Sequence, residues 1–256
     1  MSVESIQAGK QLPNIAPEIV NHERRPSKPK QTELWVLLAV VAVAFCAFLI
    51  APMALVDLAD PIYAGQISVT DMEGSSTADV DAVYSHFEPK LLSILDRFAD
   101  PKPGVIDAVA ALREAGLKIG STTGYTDAMM EIVVPKAAEL GYAPDHWVSA
   151  DGTEGFGRPY PYMIFHNMQV LRLMDVRRVA KVGDTISDIK EGKNAGVFTV
   201  GVTEGSSQMG LSLAEFEALS PAEQDRERLM AREAFLAAGA DAVIDTMAEL
   251  PALLLG

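Results

Sequence analysis

The sequence contains little cysteine and little positive charge. Its one cysteine, Cys46, cannot form a disulfide within the chain, so the fold does not depend on a disulfide framework. The chain has 21 Lys and Arg against 35 Asp and Glu, a formal net charge of −14. Such a composition cannot easily supply the basic face that binds a nucleic-acid backbone, so we expect no nucleic-acid partner. A small anionic substrate stays compatible with it if local cations or a metal ion are present.

Lysine and arginine are also absent from residues 31–89. Residues 1–33 are polar and lack helical or strand periodicity, which predicts a disordered tail. Residues 34–51 are apolar on all sides, and with the continuation to residue 56 they reach the roughly 20 residues needed to cross a bilayer. We therefore predict a transmembrane helix within residues 34–56. A cleaved signal peptide, a buried core helix and an unfolded segment are the alternatives.

Charge on the two sides of this segment predicts its orientation. Arg24, Arg25, Lys28 and Lys30 precede it closely, whereas residues 57–75 contain no Lys or Arg. The positive-inside rule then places the N-terminus in the cytoplasm and anchors the chain to the membrane through residues 34–56. A cytoplasmic location for the whole chain is the alternative.

In the remainder of the chain, the spacing of apolar residues alternates between that of a helix and that of a strand. Residues 57–100 are predicted to form a linker and one amphipathic helix at 77–98. In residues 101–256, strands and helices alternate, which predicts an α/β core with a doubly wound parallel sheet. The predicted strands are residues 117–122, 146–149, 179–183 and 198–202. The predicted helices are one ending at Glu114 or Ala115, residues 127–140, 161–173 and 187–195, and three opened by the capping boxes at Ser212, Ser220 and Thr246.

Polar residues that directly follow strands are the candidates for a site, because ligands bind at the carboxyl ends of parallel strands. Asp184 and Asp188 lie on one strand-loop-helix corner, and hard carboxylate oxygens at this spacing suit Mg²⁺. As an alternative, Asp184 is an ordinary loop residue and Asp188 a first-turn helix carboxylate. Thr123 and Gly124 lie in the loop after the predicted strand 117–122. Hydroxyl and backbone N–H groups there can bind a phosphoryl group or simply cap a helix. Arg158 can pair with a phosphonate or be an ordinary surface arginine.

Three segments occur in a characteristic order. They are Gly-Ser-Thr-Thr-Gly-Tyr at 120–125, Gly-Arg-Pro-Tyr-Pro at 157–161 and Lys-Val-Gly-Asp-Thr-Ile-Ser-Asp at 181–188. In this order they resemble the phosphonoacetaldehyde hydrolase family of the haloacid dehalogenase superfamily, and the resemblance covers about residues 75–252. It implies cleavage of the C–P bond of phosphonoacetaldehyde to acetaldehyde and phosphate, with Mg²⁺, an aspartate nucleophile and a Schiff-base lysine.

The resemblance also implies roles for individual residues. Asp184 and Asp188 would be the metal-site carboxylates, Thr123 and Gly124 would bind the phosphonate, and Arg158 would be its cationic clamp. The family's first motif, Asp-x-Ala-Gly-Thr, has one near match at residues 54–59, which makes Asp57 the candidate nucleophile and a further metal ligand.

The chain departs from the family pattern before residue 75. The family's helical cap is truncated here, and residues 31–89 contain no lysine, so the Schiff-base lysine is unidentified. Residues 53–56 could serve as the first strand of the sheet. Two other functions are therefore considered, a magnesium-dependent phosphatase of the same superfamily and a non-catalytic membrane-tethered remnant. A homodimer is a candidate assembly.

Overall fold

The computed structural model describes Phe87 and residues 89–256. The strands in this part of the chain are β1 (Gly120–Thr122), β2 (His146–Val148), β3 (Ala180–Gly183), β4 (Phe198–Val202) and β5 (Ala242–Ile244). The α-helices after residue 100 are α1 (Val105–Glu114), α2 (Asp127–Glu139), α3 (Tyr162–Val170), α4 (Ile186–Ala195), α5 (Leu213–Ala218), α6 (Pro221–Ala237) and α7 (Leu250–Leu255). The predicted tail, membrane segment, first strand and Asp57 all lie outside the described residues.

All strand pairs are parallel, because each strand is followed by a helical crossover before its partner. β1 pairs with β2, and β3, β4 and β5 pair in that order. The predicted α/β class with parallel strands is confirmed, and the strands described are divided between two sheets. Lys181 of β3 nevertheless contacts β1 directly, since its Nζ lies 2.8 Å from Thr122 Oγ1.

One hydrophobic core joins the two sheets. It contains Ile119 beside β1, Val182 of β3 and Val200 of β4, and it continues into α1, α2 and α7. Residues 89–94 are helical and lead into a 3₁₀ turn at Leu95–Phe98, whose Leu95 is fully buried in the same core. The part of the predicted 77–98 helix that the structure describes therefore packs on the α/β core.

Most element boundaries agree with the sequence to within a few residues. β1 is shorter than predicted because the backbone N–H of Ile119 donates to the side chain of Asp145 rather than to a strand. β5, at Ala242–Ile244, was not predicted. All three capping boxes are present, at Ser212, Ser220 and Thr246.

Among Phe87 and residues 89–256, no helix is both long enough and apolar enough to span a bilayer. The segment predicted to do so, residues 34–56, is not part of this range.

Candidate active site

The corner between β3 and α4 is built by its glycine and threonine. Gly183 ends β3, and a Cβ on this residue would overlap the Asp188 side chain, so glycine allows Asp188 to fold back toward the strand. Thr185 caps α4, because its Oγ1 accepts a hydrogen bond from the backbone N–H of Asp188 at 3.0 Å. The same hydroxyl donates to Asp188 Oδ2 at 2.6 Å. These contacts fix the position of the Asp188 carboxylate.

Asp188 belongs to a largely buried ion network. Arg158 Nη1 lies 2.6 Å from Asp188 Oδ1, and Lys181 Nζ lies 2.8 Å from the same oxygen. Lys181 also contacts Glu191 Oε2 at 2.8 Å, and the side chains of Lys181, Asp188 and Glu191 have no solvent exposure. Thr122 of β1 accepts from Lys181 and donates to Glu191, so the network links the two sheets. Burial alone would raise the pKa of Asp188, but Lys181 and Arg158 outweigh it and hold that pKa well below its usual range.

Asp184 has a different environment in the same loop. Its Oδ2 accepts a hydrogen bond from Lys102 Nζ at 2.6 Å, and the same ammonium group donates to Gly205 O at 2.6 Å. Asp184 Oδ1 is buried and has no hydrogen-bond partner among the described residues. Burial raises the pKa of Asp184, and the nearby charge of Asp188 adds to the increase while Lys102 opposes it. This corner therefore presents one buried carboxylate oxygen that could accept a ligand.

Arg158 extends from Asp188 to the loop after β1. A Cβ on Gly124 would lie 2.9 Å from Arg158 Nη2, so the absence of a side chain at Gly124 allows this close approach. The neighbouring Thr123 is buried, and its Oγ1 accepts from the backbone N–H of Tyr125 at 3.1 Å. The Thr123 hydroxyl thus shapes the loop and keeps its own proton available for donation.

The structure brings Arg158, Asp188 and Gly124 into one cluster, with Thr123 and Asp184 in the adjoining loops. Asp57 lies outside the described residues. Three charged residues of the cluster had no role in the sequence prediction, namely Lys102, Lys181 and Glu191. A signal existed for Lys181, because a lysine between Ala180 and Val182 in a buried strand needs an anionic partner. Lys102 lies in a turn and gave no such signal.

The predicted Mg²⁺ site depends on which carboxylate oxygens are available near Asp184 and Asp188. Among Phe87 and residues 89–256, no three His, Cys, Asp or Glu side chains are grouped so as to bind a metal ion. The partnerless Oδ1 of Asp184 is nevertheless the kind of hard oxygen that Mg²⁺ binds, and Mg²⁺ usually completes its coordination shell with waters and substrate oxygens. The described residues fit a site that takes one or two protein carboxylates.

A family model for haloacid dehalogenase-like hydrolases matches residues 15–196. This chain belongs to that family. Among curated relatives, the phosphonoacetaldehyde hydrolase of Lysinibacillus sphaericus is 50% identical over 176 residues, which cover 69% of this chain and 65% of that protein. The phosphonoacetaldehyde hydrolase of Parabacteroides distasonis is 51% identical over 174 residues, covering 68% and 66% respectively. The haloacid dehalogenase-like chain is therefore a homologue of phosphonoacetaldehyde hydrolases, as predicted, and spans just under two thirds of their length.

Solved structures of haloacid dehalogenase-like proteins have the same fold. The crystal structure of a phosphonoacetaldehyde hydrolase-like protein from Oleispira antarctica matches with a TM-score of 0.73 at 27% identity, covering 86% of this chain and 91% of that one. L-2-haloacid dehalogenase from Xanthobacter autotrophicus matches with a TM-score of 0.54 at 18% identity and shows the fold alone.

Proposed function

We propose that this chain hydrolyses the C–P bond of phosphonoacetaldehyde, giving acetaldehyde and phosphate. The main support is the position of Arg158, whose guanidinium contacts Asp188 at 2.6 Å and lies against Gly124 of the loop after β1. A planar guanidinium at the meeting point of two strand-end loops suits the fork-like recognition of a phosphonate. The homology to phosphonoacetaldehyde hydrolases at about 50% identity supports the same substrate.

The loop after β1 would bind the other phosphonate oxygens. Thr123 and Gly124 precede α2, which begins at Asp127 with Thr126 as its N-cap. Backbone N–H groups and the helix dipole at such a position favour an anion. Arg158, Thr123 and Gly124 would then bind the phosphonate together.

Magnesium would be held by Asp184 and Asp188, with Asp57 as a further ligand. Asp184 has a partnerless oxygen available, whereas the oxygens of Asp188 already accept hydrogen bonds from Arg158 and Thr185. When bound, the ion would supply positive charge that stabilises the phosphoryl group during transfer. In this arrangement Asp188 also orients Arg158, so it contributes to the site even without direct coordination.

Asp57 would be the nucleophile. Among the described strands, β1 pairs only with β2 and β3 only with β4, although both approach the same ion network. Unpaired strand edges are unfavourable, and a further strand between β1 and β3 would cover both. Residues 53–56, which directly precede Asp57, are the proposed occupant.

The proposed reaction needs a lysine that has not been identified. Its amine would condense with the substrate aldehyde and release water, giving an iminium. The electron pair of the breaking C–P bond would then form an enamine while the phosphoryl group passes to the aspartate. A proton added to the enamine carbon would regenerate an iminium, and water would then hydrolyse the iminium and the aspartyl phosphate, which releases acetaldehyde and phosphate and restores both residues.

The test is incubation of the full chain and Mg²⁺ with phosphonoacetaldehyde, with acetaldehyde and phosphate both measured. We expect both products in equal amounts, loss of turnover after borohydride with substrate, and loss of turnover in Asp57→Asn. Hydrolysis of p-nitrophenyl phosphate without acetaldehyde formation would instead indicate the phosphatase. No turnover with retained Mg²⁺ binding would indicate a non-catalytic protein, and full activity in Asp57→Asn would refute the nucleophile assignment.

Location and assembly are also proposals. Attachment to the membrane through residues 34–56 predicts that the full chain sediments with membranes and that a chain starting at residue 53, which keeps the proposed strand, does not, whereas a cytoplasmic chain would stay in the supernatant in both forms. A homodimer is supported by the cluster of Phe156, Tyr160 and Tyr162, which pack on one another yet are each 45–50% exposed. Light scattering of the purified chain measures its mass directly.

A further inference from the structure

Lys102 places a positive charge directly on the carboxylate that the proposed metal would use. Its Nζ lies 2.6 Å from Asp184 Oδ2 and 2.6 Å from Gly205 O, and its side chain is 22% exposed. Lys102 belongs to the turn before α1, whereas Asp184 follows β3, so this contact joins parts of the chain that are 82 residues apart. The sequence pattern gives no indication of it.

The described corner is neutral without any metal ion. Three cationic side chains, Lys102, Arg158 and Lys181, face three anionic ones, Asp184, Asp188 and Glu191. Adding a divalent cation would place two further positive charges beside Lys102, where Asp184 and Asp188 are almost fully buried, and Asp57 as a further ligand would offset only one of them. Like charges in such surroundings repel strongly, because the effective dielectric constant is far below that of water. The Lys102 ammonium group and the metal ion therefore compete for binding to the Asp184 carboxylate.

Lys102 has room to move away from Asp184. A cavity of about 190 Å³ lies beside it, lined by its own side chain and by apolar residues including Val202, Leu211 and Phe216. The aliphatic part of a lysine can pack on such a surface while its ammonium stays near polar groups. Glu204 also lines this cavity, and its carboxylate, whose Oε1 is paired with Arg228 at 2.7 Å, is an acidic group toward which the ammonium could turn.

We propose that Lys102 is a tethered cation that neutralises Asp184 in the metal-free protein and that Mg²⁺ must displace. The proposal rests on the magnesium site of the proposed function. Lys102 is a positioning residue in this view, since it acts on the metal through Asp184. It allows the corner to fold without metal, and it weakens Mg²⁺ binding by the free energy needed to break the Lys102–Asp184 contact.

The test measures Mg²⁺ binding by calorimetry in metal-stripped protein, with wild type, Lys102→Met and Lys102→Gln compared. We expect both variants to bind Mg²⁺ about tenfold more tightly, equivalent to about 1.4 kcal/mol. Lys193→Met is the matched control, because Lys193 forms a 2.8 Å ion pair with Asp241 at similar partial exposure and is not part of the site. Its affinity for Mg²⁺ should equal that of the wild type.

The direction of the change makes the test specific. Damage to the fold would weaken Mg²⁺ binding, so tighter binding in a folded Lys102 variant cannot come from loss of structure. If binding is abolished by Asp184→Asn but is unchanged or weaker in both Lys102 variants, the inference is wrong and the magnesium site stands. If neither the wild type nor the Lys102 variants bind Mg²⁺, the magnesium site itself is wrong and the inference falls with it.

Discussion

Asp184 and Asp188 lie at the same corner between β3 and α4, but their carboxylates have different partners and their pKa values are shifted in opposite directions. Asp188 has no exposure, and Arg158, Lys181 and Thr185 surround its two oxygens. Asp184 is almost as buried, yet it has one ammonium partner and one oxygen with none among the described residues. The pKa of Asp188 is lowered by its cations, whereas the pKa of Asp184 is raised by burial.

This difference separates residues that stabilise the fold around the site from residues that can bind a ligand. A buried carboxylate with saturated hydrogen bonds keeps its neighbours in place, and removing one partner leaves an uncompensated charge. A buried oxygen without a partner is costly, so it is retained where a ligand or ion completes it. We therefore expect changes of Asp188 and its cationic partners to lower stability and changes of Asp184 itself to lower ligand binding.

The largest effect is expected for Lys181→Met. This substitution removes the cation between Asp188 and Glu191 while roughly preserving side-chain volume, and it leaves two buried carboxylates facing each other. The free energy of unfolding, measured by urea denaturation, should fall by about 3–5 kcal/mol.

The matched control is again Lys193→Met, whose partly exposed ion pair with Asp241 should contribute no more than about 1 kcal/mol. Equal losses in the two variants would show that the Asp188 network does not stabilise the fold more than a peripheral pair does.

A smaller loss with a distinctive pH dependence is expected for Asp188→Asn. At pH 7 the variant should lose about 2–3 kcal/mol, since two cations lose a charged acceptor. Because the pKa of Asp188 is lowered on folding, its stabilisation is complete above its ordinary pKa of about 3.9 and is lost as the pH falls toward the folded-state value. Unfolding from pH 7 to pH 2 should therefore show a constant difference from wild type down to about pH 4.5 and a narrowing one below. A difference that narrows between pH 7 and 5 would contradict the lowered pKa.

Asp184→Asn is the corresponding change at the other carboxylate. Its raised pKa means that the charge of Asp184 works against folding at neutral pH, and Lys102 can turn to solvent and keep its bond to Gly205. The free energy of unfolding should change by less than about 1 kcal/mol. Mg²⁺ binding and hydrolysis should both be lost, as measured by calorimetry and phosphate release. A loss of stability as large as that of Lys181→Met would erase the distinction between the two carboxylates.

Several of the residues selected from the sequence lie together in the structure. Asp184, Asp188, Arg158 and Gly124 could be selected because each follows a strand or opens a helix, and periodicity locates strands and helices. The capping boxes were found for the same reason, since a cap is a local pattern of four residues.

The contacts of Lys102 and Glu191 could not be predicted in this way. Lys102 reaches Asp184 across 82 residues, and only the packing of α1 against the core sets that distance. Glu191 lies on α4 among polar residues, so its burial depends on where α3 and β1 pack.

The smallest effect on stability is expected for Gly124→Ala, which tests whether the loop after β1 belongs to the ligand-binding part of the site. The added methyl would meet Arg158 Nη2 at 2.9 Å, and the guanidinium cannot move freely because Asp188 holds its other nitrogen at 2.6 Å. The free energy of unfolding should fall by no more than about 1 kcal/mol, because the contact involves the end of a long side chain. Binding of inorganic phosphate should weaken by roughly tenfold, since the added methyl would displace the guanidinium that binds the anion. Gly152→Ala, which meets Val148 at the same 2.9 Å, is the control for crowding alone. Unchanged phosphate affinity in Gly124→Ala would separate this loop from the anion site.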